Sequence, residues 1–124
     1  MKKQLLIIDS DAFLAGIYAR RFEESKWKVE VAETVKEARD ILKKQIPEAI
    51  LIDVETVEGA LDFFKELRKE TETQDTLLVV LTELGKKETI DEAYRAGADS
   101  YLLKGHFVPS EVCDKLTELL ENRS

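Results

Sequence analysis

The sequence predicts an α/β fold: a single doubly wound (βα)5 domain in which helices flank a parallel, five-stranded sheet. Two observations predict it. Short, nearly continuous apolar runs recur along the 124 residues, at about 4–8, 28–32, 48–52, 77–81 and 99–103. Runs of this length are typical of strands that are buried on both faces of a parallel sheet. A segment with helical periodicity follows each run, and such crossovers are what parallel strands require.

The segments between the runs carry the sequence signals of helices. Residues 12–25 repeat apolar side chains at a period of about 3.6, which predicts the first helix. Thr34 and Glu37 have the spacing of a capping box and predict the start of the second. Gly97 is typical of a helix C-terminus, and Pro109 of a first helical turn. The apolar set of the first helix is Phe13, Leu14, Ile17, Tyr18 and Phe22.

The crossovers also predict the order of the strands. Right-handed crossovers in a doubly wound sheet give the order 2-1-3-4-5, with the switch point between strands one and three. The second run alternates charged with apolar residues, as a half-exposed edge strand does. Asp9 and Asp53 follow strands one and three, so we expect them to face each other across the switch point.

Polar side chains collect at the carboxyl edge of the predicted sheet. Ligands of open α/β sheets bind outside the carboxyl ends of the strands. This edge gathers an acid cluster, a hydroxyl and an ammonium, which suit a divalent metal ion and a phosphoryl group. The residues are Asp9, Asp11, Asp53, Thr82 and Lys104.

Composition narrows the possible partners. Residues 1–124 are expected to form one domain with a core of ordinary size. The net charge of −7 does not favour nucleic acid, which needs concentrated Lys and Arg. No apolar run is long enough for a membrane span or a signal peptide. The single Cys113 cannot form an internal disulfide, so we expect the protein to be located in a reducing cytoplasm.

Over its whole length, the chain resembles a response-regulator receiver domain of the chemotaxis-regulator type, which has a flavodoxin-like fold. That family carries an acidic pair after strand one and a phosphorylated Asp after strand three. A Thr or Ser follows its strand four, and a Lys its strand five. This sequence matches with Asp9, Asp53, Thr82 and Lys104, in that order. Tyr101 stands three residues before Lys104, where the family has its aromatic switch residue.

The resemblance implies a signalling domain of two-component phosphorelays rather than an enzyme. Asp53 would accept a phosphoryl group from a sensor histidine kinase or a phosphotransfer protein. The cofactor would be Mg²⁺, held by Asp9, Asp53 and the backbone carbonyl of Glu55. Thr82 and Lys104 would contact the phosphoryl group.

The same resemblance implies a conformational switch. Thr82 and Tyr101 would respond to phosphorylation and change the surface formed by residues 86–122. A downstream protein target would dock on that surface.

Four departures from the family pattern weaken the predicted chemistry. One is Gly105, which follows Lys104 where the family usually has a Pro, so the cis peptide common in the family is not expected here. Ser10 replaces the second acid of the pair, and a neutral hydroxyl is a poor ligand for Mg²⁺. Asp11 is one residue farther on. The loop 54–59 lacks the family's Pro and is two residues shorter, and Glu83 follows Thr82 where the family has a small residue. The sequence therefore predicts weak Mg²⁺ binding. It leaves open a second interpretation, a pseudo-receiver that docks partners independently of phosphorylation.

Two further carboxylates are expected beside Asp53. Glu55 and Glu83 lie on the loops that follow strands three and four. Either could take Lys104 into an exposed ion pair, which a phosphoryl group would then have to displace.

Two other interpretations of the acid cluster remain. Asp9-Ser10-Asp11 also resembles the Asp-x-Asp signature of haloacid-dehalogenase-type phosphatases, with Asp9 as the nucleophile and Asp11 as the acid/base. Alternatively, Asp9 and Asp53 only cap the turns that follow them, with Lys104 as their structural counter-ion.

Overall fold

One parallel sheet lies at the centre of the computed structural model, which describes residues 2–83 and 85–123. Its strands are β1 (Gln4–Ile8), β2 (Lys28–Ala32), β3 (Ala49–Asp53), β4 (Leu77–Thr82) and β5 (Ser100–Leu103). They are arranged in the order β2-β1-β3-β4-β5. The predicted fold class and strand order are confirmed.

Helices connect the strands in the described residues. They are α1 (Ala12–Glu24), α2 (Val35–Lys44), α3 (Ala60–Lys69), α4 (Lys87–Arg95) and α5 (Pro109–Glu121), and a 3-10 turn (Lys104–His106) follows β5. None of these helices is long and apolar enough to cross a membrane. The helix α3 begins two residues later than expected. Gly59 precedes it with a φ of 77°, a conformation that suits glycine.

The register of the sheet brings the strand ends together. Ile8 of β1 lies opposite Ile52 of β3, and Thr82 of β4 lies opposite Leu103 of β5. The strand β3 extends one residue beyond the predicted end and so includes Asp53. Residues that end or follow β1, β3, β4 and β5 therefore lie along one edge.

The sheet divides the core into two layers. The helices α2, α3 and α4 cover one face, and α1 and α5 cover the other. Along β1, Leu6 and Ile8 face the first layer while Leu5 and Ile7 face the second. Each fully buried Leu or Ile contributes about 1.5–3 kcal/mol. A slip of one residue would exchange the two layers, so this packing fixes the register.

The helix α1 buries only part of the set of side chains that its periodicity suggests: Tyr18 and Phe22 are buried, and Leu14 is partly buried against the same core layer. Ala15, Tyr18 and Phe22 are buried, whereas Phe13 is 79% exposed and Ile17 is 39% exposed. The buried residues follow one another at intervals of three and four and so share a face of the helix. Phe13 and Ile17 lie on the neighbouring row, which faces solvent.

The start of α2 departs slightly from the predicted capping box. The Thr34 Oγ1 accepts a hydrogen bond from the Glu37 backbone N–H at 3.1 Å, as expected. The Glu37 carboxylate, however, accepts from the N–H of Glu33 at 3.2 Å rather than from that of Thr34. The Thr34 side chain thus satisfies one free donor of the helix terminus, and the Glu37 side chain satisfies the amide of the residue before the N-cap.

The Arg68 side chain of α3 forms hydrogen bonds to the segments that precede β4 and β5, at the amino end of these strands. Its Nε donates to the carbonyl of Gly97 at 2.9 Å, and its Nη1 donates to those of Gln74 and Thr76 at 2.9 and 2.8 Å. Its Nη2 donates to Asp99 Oδ2 at 2.7 Å. One guanidinium thus joins α3, the loop before β4 and the turn before β5.

We expect Arg68→Ala to lower the free energy of unfolding by about 2–4 kcal/mol, since several acceptors lose their donor at once. Arg68→Lys should restore little of this loss, because an ammonium lacks the planar fork of donors. Urea unfolding measures both effects, with the exposed Arg20→Ala as the control. Equal unfolding midpoints for Arg68→Ala and Arg20→Ala would contradict the assigned role.

Candidate functional site

Four polar side chains converge where the strands end. Asp9 follows β1, Asp53 ends β3, Thr82 ends β4 and Lys104 follows β5. Asp9 and Asp53 have no solvent exposure and Thr82 is 1% exposed. The Lys104 side chain is 14% exposed. Charged groups are rarely buried to this degree without a partner.

Lys104 is the partner of both buried acids. Its Nζ donates a hydrogen bond to Asp53 Oδ2 and lies 3.5 Å from Asp9 Oδ2. A buried carboxylate is tolerated only where attraction and hydrogen bonds offset the loss of water. One ammonium here serves two carboxylates, which places Asp9 and Asp53 on either side of the same cation.

Backbone amides hold the remaining carboxylate oxygens. Asp53 Oδ1 accepts hydrogen bonds from the N–H groups of Glu55 at 2.9 Å and Thr56 at 3.3 Å. Asp9 Oδ1 accepts from the N–H of Asp11 at 2.9 Å. Asp9 Oδ2 has no hydrogen-bond partner in the described part of the chain. Both acids therefore cap the turns that follow them, and the two carboxylates are held in fixed orientations.

Burial and charge shift the pKa values of two of these groups. Burial raises the pKa of Asp9, and the Asp11 amide and the Lys104 charge only partly oppose that rise. For Lys104, burial favours the neutral form, but the hydrogen bond and charge of Asp53, together with the charge of Asp9, raise its pKa overall. The ammonium is therefore held as a cation between the acids.

Ser10 and Asp11 stand outside this cluster. Asp11 is the N-cap of α1, and its Oδ1 accepts a hydrogen bond from the N–H of Leu14 at 3.1 Å. Ser10 is exposed. In the described residues, no group of three or more His, Cys, Asp and Glu is arranged to hold a metal ion. The acids that a cation can reach together are Asp9 and Asp53.

The two predicted switch residues lie at different depths. The Thr82 hydroxyl is buried and makes no hydrogen bond to the residues that the structure describes. The ring of Tyr101 is partly buried and meets the ring of Tyr94 edge to face, with 6.2 Å between the centroids. Tyr94 itself is 46% exposed on α4.

Glu55 makes a contact that sequence reasoning missed. Its carboxylate accepts a hydrogen bond from the backbone N–H of Glu83, across the mouth of the site. The ion pairs of Lys104 with described residues are those with Asp9 and Asp53. The expectation that Glu55 or Glu83 takes Lys104 into an ion pair is wrong.

Tyr18 lies in the core, as its helical spacing predicts, but the sequence did not reveal that the charges of the acid cluster act on its phenol. It is 3% exposed and belongs to the core layer between α1, α5 and the sheet. Burial raises the pKa of the Tyr18 phenol, and the charges of Lys104, Asp9 and Asp53 also act on it. Helical spacing marks Tyr18 as a core residue but carries no signal that its phenol lies near the acid cluster.

The fold and this site define a response-regulator receiver. The family model for the response regulator receiver domain matches residues 5–117, so the chain belongs to that family of two-component signalling modules. The match does not support the phosphatase interpretation, in which Asp11 would act as an acid/base; the Asp11 side chain instead caps α1.

The relatives and neighbours agree with this assignment. The chain is 33% identical to the acid tolerance regulatory protein ActR of Rhizobium meliloti over 120 residues, which make up 96% of this chain and 59% of ActR. It is 28% identical over 121 residues to the chemotaxis protein CheY of Halobacterium salinarum, covering 97% and 98% of the two chains. The structure of the chemotaxis response regulator CheY4 of Vibrio cholerae shares the fold, with a TM-score of 0.87, 22% identity and coverage of 96% and 99%.

The raised pKa of Asp9 predicts a pH-dependent difference between the wild type and Asp9→Asn. A raised pKa means that the folded state holds the Asp9 proton more tightly than the unfolded state does. The stability of the wild type relative to the variant should therefore fall as the pH rises from below the ordinary value of 3.8 through the raised value.

Urea unfolding of both proteins in EDTA, from about pH 3 to about pH 8, measures this difference. The exposed Asp114→Asn serves as the control for the removal of one carboxylate. If Asp9→Asn differs from the wild type by a constant amount over this pH range, burial does not raise the pKa of Asp9.

Proposed function

We propose that this receiver accepts a phosphoryl group on Asp53 from a histidine kinase or a phosphotransfer protein. The observation that carries the proposal is the setting of the Asp53 carboxylate. It is buried at the end of β3, with one oxygen on Lys104 and the other on the amides of Glu55 and Thr56. The structure thus holds a carboxylate in one orientation at the edge of the sheet where ligands of such folds bind.

The reaction is an in-line phosphoryl transfer. A carboxylate oxygen of Asp53 attacks the phosphorus, and the bond from phosphorus to the donor's imidazole nitrogen breaks. The electron pair of that bond stays on the nitrogen, and Asp53 becomes an acyl phosphate. The Lys104 ammonium is close enough to pair with phosphoryl oxygens instead of with Asp53, and the Thr82 hydroxyl is a donor without a partner in the described residues.

The donor set of the site suits a hard divalent cation, though with few anionic ligands. Lys104 shows that one cation can approach both Asp9 and Asp53, and Asp9 Oδ2 accepts no hydrogen bond from the described residues. Mg²⁺ would be held by these two carboxylates, and the family pattern adds the Glu55 carbonyl. When bound, the ion supplies positive charge to neutralise phosphoryl oxygens. Because Ser10 is neutral, the affinity should be low.

The second candidate function is a pseudo-receiver that docks partners without being phosphorylated. The observation that favours it is the partial neutralisation of the two acids by Lys104, together with the use of Asp11 as a helix cap. A site in which a lysine already offsets part of the acidic charge has less need of a metal ion. The acceptor function is preferred because Asp53, Thr82 and Lys104 stand together at the edge.

A docking surface would complete the signalling function. The surface of residues 86–122 comprises α4, β5 and α5 and carries the edge-to-face pair of Tyr94 and Tyr101. A partly buried Tyr beside an exposed one can change its packing between two states. The cytoplasmic location and the absence of nucleic-acid or membrane partners stay predictions that rest on composition.

Incubation with acetyl phosphate and Mg²⁺ should add one phosphoryl group to the wild type, as measured by intact mass. Asp53→Asn should remain unlabelled because it lacks the nucleophile. Asp9→Asn should lower the extent of labelling without removing the acceptor. Labelling that survives in Asp53→Asn would exclude Asp53 as the acceptor, and an unlabelled wild type would favour the pseudo-receiver.

Ser10→Asp should bind Mg²⁺ roughly tenfold more tightly than the wild type, because it restores an anionic oxygen to the site. Calorimetric titration gives both dissociation constants. Asp11→Asn is the matched control, since the Asp11 side chain caps α1. Equal affinities of the wild type and Ser10→Asp would show that Ser10 does not limit metal binding.

A further inference from the structure

The hydrogen bond between Glu55 and Glu83 joins the two loops that border Asp53. Glu55 lies two residues after Asp53, and Glu83 follows Thr82 directly. The loops are already adjacent, because the N–H of Val54 donates to the carbonyl of Leu81 at 3.2 Å. The Glu55 carboxylate crosses the remaining gap and accepts from the Glu83 amide.

The position of Glu55 is fixed at both ends. Its backbone N–H donates to Asp53 Oδ1 at 2.9 Å, which holds the Glu55 backbone against the Asp53 carboxylate. Its side-chain carboxylate accepts a hydrogen bond from the Glu83 amide. The residue therefore spans the opening from Asp53 to the end of β4.

The Glu83 amide lies at the end of β4, on the same edge of the sheet as two other donors, the Thr82 hydroxyl and the Lys104 ammonium. The Lys104 ammonium bonds to Asp53, and the buried Thr82 hydroxyl has no partner among the described residues. The Glu83 amide is the next backbone donor after Thr82. Backbone amides, hydroxyls and a cation gathered at one edge stabilise an anionic group that binds among them.

We propose that Glu55 is an internal competitor for the phosphoryl group. Its carboxylate occupies the Glu83 amide, which an incoming phosphoryl group could otherwise use, and it adds a negative charge at the mouth of the site. A phosphoryl group must displace Glu55 from this amide before all the donors are available. This inference rests on the proposed function and concerns the rate at which the same site accepts its substrate.

Two physical effects contribute to the competition and can be separated. The first is occupation of the amide, which any hydrogen-bond acceptor at position 55 retains in part. The second is repulsion between the Glu55 carboxylate and an anionic phosphodonor, which salt screens over roughly 8 Å at physiological ionic strength. Glu55→Gln removes the charge but keeps an acceptor, whereas Glu55→Ala removes both.

Labelling by acetyl phosphate and Mg²⁺, followed by intact mass, tests the proposal in these two variants. We expect Glu55→Ala to be labelled about tenfold faster than the wild type, because one charge-assisted hydrogen bond no longer has to be broken. Glu55→Gln should be intermediate, and its advantage should shrink at high salt. Glu58→Gln removes the same charge from an exposed position of the same loop and should match the wild type. The predicted ligand carbonyl of residue 55 is present in every variant.

Hydrogen exchange of the Glu83 amide provides a readout that does not depend on labelling. The amide should exchange faster in Glu55→Ala than in the wild type and Glu58→Gln, because it loses its acceptor. An unchanged exchange rate, or a Glu55→Ala labelling rate equal to that of the wild type, would overturn the inference and leave Asp53 as an acceptor.

If the proposed function is wrong, the labelling experiment gives a different pattern of results. If neither the wild type nor any Glu55 variant is labelled, both the acceptor function and the competition are overturned, whatever the exchange rates. If Glu55→Ala is labelled and the wild type is not, the competition is supported in its strongest form, and the unlabelled wild type then does not favour the pseudo-receiver.

Discussion

Two carboxylates without solvent exposure share one ammonium, and the arrangement of the carboxyl edge depends on that contact. Asp9 and Asp53 come from neighbouring strands, so their charges would repel each other strongly in the absence of Lys104. Breaking a buried ion pair by removing one partner costs about 3–5 kcal/mol, because it leaves a charge without compensation. Lys104 arrives from the far side of β4, at the end of β5. The register of three strand pairings is therefore tied to the electrostatics of the site.

Among the described residues, most of the donors identified at this edge are already in use. The backbone amides of Glu55 and Thr56 donate to the Asp53 carboxylate, and that of Asp11 donates to the Asp9 carboxylate. The backbone amide of Glu83 donates to the Glu55 carboxylate. Under the proposed function, a phosphoryl group would bring additional anionic oxygens into this set, so most of its hydrogen bonds would replace existing ones. The Thr82 hydroxyl is the exception, since it is buried without a partner in the described residues. Buried polar groups are nearly always paired, and its unsatisfied state suits a group that acquires its partner on binding.

The sequence predicts the fold well because the central strands are buried on both faces. Their apolar runs have few alternative structures, and the polar residues that end them mark the carboxyl edge. The sequence is less informative where both the buried and the exposed side chains are apolar, as with Tyr18 and Phe13 of α1. The periodicity of apolar residues identifies α1 as a helix. Which of its faces packs against the sheet, however, depends on the position of α5 and on the twist of the sheet. The sequence is equally uninformative about Asp11, which stands one residue beyond the family's second acidic position. Its side chain caps the N-terminus of α1 and does not join the acid cluster.

Lys104 has several carboxylates near it in the sequence pattern, and closeness along the sequence does not decide which of them forms an ion pair with it. Glu55 and Glu83 are exposed residues, and water solvates an exposed carboxylate at little cost. Asp53 and Asp9 have no access to water, so they gain far more from the ammonium. Burial therefore assigns Lys104 to the acids, and Glu55 is left to bind a neutral amide. Under the proposed function, the deep burial of Asp53 thus leaves a neighbouring Glu free to occupy one donor that the phosphoryl group would use.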